Sequence, residues 1–179
     1  MNASERLQAI IKQRLEGESF GWGVILSVWA AVFSVRMATE IFTGPTLVGG
    51  TLAVVLVLGF QVFWSLRPQA SAATRSWTLQ GLWILLAAAL WFLGTMAPVF
   101  GFLTPHAAAV LELLFLAGGL TQTGLMKARK GFWIGGMVLA VGSVTIAVFP
   151  ALLALRCVLV AVTLGWPAVL TAVSDKNRD

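Results

Sequence analysis

Polar residues fall along this chain so that they divide it into six apolar stretches, at about residues 20–40, 46–66, 77–97, 106–126, 132–149 and 151–173. Each approaches the ~20 residues that a helix needs to cross a hydrocarbon layer about 30 Å thick. The breaks carry helix-ending chemistry: "TGPT" (43–46), "RPQASAATRS" (67–76), "APVFGFLTP" (97–105), "KARKG" (127–131) and Pro150. Pro150 interrupts an apolar run from 132 to 170 that is too long for one span, so a tight turn is expected there. The first residues follow a different pattern. Leu7, Ile10, Ile11 and Leu15 recur at helical spacing, with Glu5, Arg6, Lys12, Arg14 and Glu16 on the other faces. This predicts an amphipathic helix lying on the membrane surface or, alternatively, a solvated one. The charges spread through it do not form the basic region and apolar core of a cleavable signal.

The expected fold is therefore all-α: a polytopic membrane protein of six transmembrane helices arranged as three hairpins, preceded by an amphipathic surface helix. Residues 1–18 form the surface helix, 19–174 the bundle and 175–179 a short tail, with no room for a second domain. A repeat supports the hairpins. "RSWTLQGLWILLAAALWFLGTMAP" (75–98) is similar to "KGFWIGGMVLAVGSVTIAVFP" (130–150), each running from a basic residue through early aromatics to a proline. "GWGVILSVWAAVFSVRMATE" (21–40) fits the same frame more loosely, and the returning segments open at Pro45, Pro105 and Pro150. Three parallel repeats suggest pseudo-threefold packing.

Charge then orients the chain. Of the 12 Lys and Arg residues, all but Arg36 and Arg156 lie at the termini or in the loops after the second and fourth stretches. With six spans these fall on one side, which the positive-inside rule makes cytoplasmic, together with both termini. Trp22, Trp64, Trp77 and Trp133 stand near that boundary, where an interfacial aromatic belt is expected.

Composition narrows the class further. Hydrophobic residues make up 59% of the chain, charged residues 11%, and the mean hydropathy is +0.91; a soluble domain carries about 25% charged residues. The net charge of +5 belongs to membrane loops rather than to nucleic-acid binding. A lone Cys157 offers neither an internal disulfide nor a thiolate metal site. No HExxH, GxSxG, phosphate-binding loop or histidine pair is present, so no catalytic residue, metal or cofactor is expected. Gly131, Gly135 and other small residues permit close helix packing within the bundle or between copies, and the expected partners are the lipid bilayer and further copies or a larger membrane complex.

With its proline-punctuated hairpins and cytoplasmic termini, the stretch "GGLTQTGLMKARKGFWIGGMVLAVGSVTIAVFPALLAL" (118–155) resembles the HdeD-type acid-resistance membrane proteins. The resemblance implies a non-enzymatic, stress-associated protein of the bacterial inner membrane and carries over no catalytic residues.

Chemistry is confined to the polar residues inside the apolar stretches: Arg36, Glu40, His106, Glu112 and Arg156. Arg36 and Glu40, four apart, share a helix face. Glu112 lies about two turns inside Pro105 and Arg156 a similar distance inside Pro150, so the two sit at comparable depth, roughly 10 Å from the boundary. A charge that deep pairs toward the bundle interior. The expectation is a Glu112–Arg156 contact, extended by Arg36–Glu40, with Phe115, Leu116, Gly119 and Thr123 on the inward stripe of Glu112. His106 is some 120° round the helix from Glu112 and belongs to the wet boundary. Two uses remain open for this cluster. It is either a structural lock of cancelling charges, or a working site on a small transporter or channel path with His106 as its pH-sensitive element. An accessory subunit or sensor of a larger complex is a third possibility.

Overall fold

The computed structural model describes residues 3–67, 77–127 and 130–176, with side chains for 22–67, 78–125 and 131–166. All regular structure among them is helical. Helix α1 spans Ala3–Thr43, α2 Leu47–Ser65 and α3 Trp77–Trp91; a π-helical turn Phe92–Met96 and a short helical piece Ala97–Val99 continue α3. Then follow α4 (Pro105–Lys127), α5 (Lys130–Val148), a 3₁₀ turn Pro150–Leu152 and α6 (Leu155–Lys176). Among the described residues, five segments are long and apolar enough to cross a membrane: Trp22–Thr43, Leu47–Ser65, Thr78–Val99, Pro105–Leu125 and Gly131–Val148. The sixth expected span falls on α6, whose described apolar part, Leu155–Trp166, is shorter. The chain is thus a multi-pass helical membrane protein.

The chain turns where its residues require it. Thr46 caps α2, its hydroxyl accepting from the Gly49 N–H at 3.1 Å. Gly44 and Gly101 take φ of 71° and 75°, a region that penalises any residue with a Cβ. Thr104 accepts from the Ala107 N–H at 3.2 Å and so caps α4 in front of Pro105. The surface helix and the first span are not separated. α1 is one helix of 41 residues, about 60 Å long, twice the thickness of the hydrocarbon layer. The side chains of the expected amphipathic face lie outside the described residues.

Each helix packs against its neighbours in sequence, and α6 closes against α1. The closest pairs are not the expected hairpin partners. α1 lies tightest on α6 and α4 on α5, while α1/α2, α3/α4 and α5/α6 touch less closely. Glycine explains the α4–α5 approach. A Cβ on Gly136 would overlap the Thr121 hydroxyl and meet the Ala117 carbonyl at 2.8 Å, so only glycine lets the two backbones come this near. Gly136→Ala is expected to cost about 1–3 kcal/mol through forced separation of α4 and α5, read as a lower unfolding midpoint in micelles. An unchanged midpoint would show that the seam can open without loss.

The core is aromatic and centred on α1. Trp22, Leu26, Trp29, Phe33 and Met37 form one buried stripe. Trp29 stands edge-on to Trp83 at 4.9 Å and stacks on Phe33 at 5.4 Å. Trp83 donates from Nε1 to the Thr123 hydroxyl at 3.1 Å, tying α3 to α4. Trp22, expected in an interfacial belt, is instead buried at 3% exposure beside Trp83. It begins the stripe that Trp29 continues seven residues later, so its helical phase turns it inward. Gln61 donates to the Gln80 carbonyl oxygen, and Gln80 donates to the Ser65 hydroxyl at 2.5 Å, joining α2 to α3 near their basic ends. Gln122 of α4, by contrast, is exposed.

Candidate functional site

The buried stripe of α1 does not stay apolar. Seven residues beyond Trp29 stands Arg36, and seven beyond Phe33 stands Glu40, so two charges continue the face that the aromatics bury. Arg36 Nε donates to Glu40 Oε1 at 2.7 Å within the helix. The same guanidinium reaches across the bundle, placing Nη2 2.8 Å from Glu112 Oε1 of α4. From α6, Arg156 Nη2 donates to Glu40 Oε2 at 3.0 Å, and its Nη1 lies 3.8 Å from Glu112 Oε2. Arg36, Glu40, Arg156 and Glu112 therefore form a closed four-membered ring in which opposite charges alternate.

Three of its four sides are tight. The side inferred from depth alone, Glu112–Arg156, is the loosest, and the close partner of Glu112 is Arg36. Depth in the membrane can be counted along a helix, but direction around the bundle cannot. Glu40 draws the Arg156 head toward α1, which leaves Glu112 to Arg36. The inward stripe of Glu112 also differs from expectation. Leu116, Gly119 and Thr123 are buried, but Phe115 is 45% exposed, and Ala109 and Leu113 take the inner flank instead.

A fourth element supplies a backbone ligand. Arg36 Nη2 donates to the Gly94 carbonyl at 3.0 Å. Gly94 sits in the π-helical turn Phe92–Met96, and the residue four positions on is Pro98, which has no N–H to donate back. The proline and the widened turn thus leave a carbonyl for the arginine. Glycine is required there, because a Cβ would overlap the Glu112 carboxylate and Arg36 Nη2. Sequence reasoning missed Gly94, although the four-residue Gly94–Pro98 spacing inside an apolar stretch was its signal.

The ring is buried but incompletely hydrogen-bonded. Arg36, Arg156 and Glu112 are 4%, 6% and 0% exposed. No N–H points along a hydrogen-bond axis at either Glu112 oxygen, and Arg36 Nη1 and Arg156 Nε likewise have no hydrogen-bond partner among the described residues. Glu112 is held by charge rather than by directed hydrogen bonds. The Phe33 ring flanks Arg36 at 5.6 Å.

Above the ring, at the end of the bundle where the proline turns converge, lies a cavity of about 330 Å³. Glu40 and Arg156 are its charged residues, and Pro45, Pro98 and Pro105 are among its walls. Glu112 does not line it. His106, on the first turn of α4, joins neither the ring nor the cavity wall, and its Nδ1 has no hydrogen-bond partner among the described residues. Among the described residues, no three His, Cys, Asp or Glu side chains gather into a metal-binding group. The chain matches no family model, no curated protein and no solved structure.

Proposed function

We propose that this protein is a six-span, non-enzymatic component of the bacterial inner membrane, stress-associated in the manner of the HdeD-type proteins, whose buried ion-pair ring locks a sealed bundle. In this reading α6 completes the sixth span, three hairpins rise from the cytoplasm, and both termini are cytoplasmic. The side distribution of Lys and Arg supports that orientation, and the 118–155 stretch supports the family. One observation carries the functional reading. The ring is charge-balanced and Glu112 is wholly enclosed, while the cavity above it ends at Glu40 and Arg156. A proton path through Glu112 would need water to reach that carboxylate. A lock needs cancelling charges in a dry core.

Reconstitution into lipid vesicles loaded with a pH-sensitive or chloride-sensitive dye tests this. Flux is expected to equal that of empty vesicles. A flux that Glu112→Gln abolishes would overturn the sealed-bundle reading in favour of a transporter or channel. For the stress role, deletion of the gene is expected to lower survival after an acid shift. Equal survival of the deletion strain would remove that part of the proposal.

A further inference from the structure

The cavity at the proline end has the composition of a small-ligand site. Its walls are mostly apolar and small-residue, with two convergent charges at the floor. Both charges are already fixed from behind: Arg36 holds Glu40, and Glu40 holds Arg156. Arg156 is only 6% exposed, and its hydrogen bonds run from Nη2, to Glu40 and the Met37 carbonyl, while Nη1 lies 3.8 Å from Glu112, so the cation meets the cavity with a single close carboxylate partner. A lone anion in the cavity would meet Glu40 beside Arg156, with Glu112 behind. A lone cation would meet Arg156, with Arg36 behind. Either one unbalances a ring whose charges cancel, in surroundings that screen poorly. A ligand carrying both signs close together sets an opposite charge against each.

We propose that this cavity binds a compact zwitterion, its acid group toward Arg156, its ammonium toward Glu40 and its small apolar body among the prolines. An amino acid and the headgroup of a zwitterionic phospholipid share that chemistry. The volume of about 330 Å³ suits either, at the lower end for small-molecule sites. The inference goes beyond the sealed-bundle reading but uses it in one respect, that the cavity is blind. Binding is measured without any transport readout, so flux could refute the sealed bundle while the site stood.

The test titrates the purified full chain in detergent with glycine, L-alanine and a short-chain phosphatidylethanolamine, with acetate and ethylammonium as single-charge controls. Binding is read by calorimetry. At least one zwitterion is expected to bind and neither control to do so. Binding by the amino acids assigns a free solute, and binding by the phospholipid alone assigns a headgroup; both support the site. Ala154→Phe fills the cavity from an exposed wall position and leaves all four ring residues in place, and Ala151→Phe does so from the neighbouring turn. Each is expected to weaken binding by about tenfold or more at an unchanged unfolding midpoint of the free protein. No binding by any zwitterion at roughly 10 mM, equal binding by acetate or ethylammonium, or wild-type affinity in both filled variants would overturn the proposal.

Discussion

Arg36→Gln is expected to destabilise the bundle by about 3–5 kcal/mol, as befits breaking a buried pair from one side. Arg36 meets Glu40 at 2.7 Å, Glu112 at 2.8 Å and the Gly94 carbonyl at 3.0 Å. Its loss changes the ring from neutral to −1 and leaves Glu112 facing only Arg156, 3.8 Å away. The cost comes less from the attraction removed than from the buried carboxylate left behind. The double change Arg36→Gln with Glu112→Gln restores neutrality and should recover at least half of the loss, a coupling that a double-mutant cycle measures directly. Unfolding of nanodisc-embedded or micellar protein provides the readout. If both single variants unfold within about 0.5 kcal/mol of the parent, the ring does not hold the bundle. Arg156→Gln should cost less than Arg36→Gln, because Arg156 makes one tight contact with a carboxylate where Arg36 makes two.

The second large effect is expected from a single methyl group. Gly94→Ala places a Cβ on the Glu112 carboxylate and on Arg36 Nη2, and both charges are too enclosed to step aside. The ring must open or α3 must move away from α4, at about 3 kcal/mol or somewhat more. Gly118→Ala is the matched control. It lies on α4, exposed, with nothing within 4 Å of the added carbon, so it should leave the midpoint unchanged or raise it slightly. Equal behaviour of the two variants would show that Gly94 is dispensable.

The positions of five spans were legible because apolar length and proline punctuation are one-dimensional signals. The same is true of the Arg36–Glu40 pair, whose four-residue spacing sets a contact within one helix. What the chain does not write in one dimension is rotation about the bundle. That is why the nearer partner of Glu112 proved to be Arg36, why Phe115 faces outward, and why Trp22 packs on Trp83 instead of marking a boundary. The stripe 22–29–36 and its companion 26–33–40 did hold the missing phase: the buried aromatics and the two charges recur at seven-residue intervals on one face. Gly94 was hidden for a different reason. Its part is played by a backbone carbonyl, which leaves only the four-residue spacing to Pro98 as a trace in the sequence.

The in-helix Arg36–Glu40 pair also bears on how the chain enters the membrane during synthesis. A charged residue at the centre of a helix opposes insertion by about 2.5–3.5 kcal/mol. α1 is made before α2 to α6, and it carries two charged residues toward the end of its span that already neutralise each other one turn apart. The unpaired carboxylate of α4 arrives later, to an arginine in place, and Arg156 on α6 arrives last. The order of charges along the gene is therefore an assembly order, in which no helix after the first need bring a charge into lipid without a counterpart waiting for it.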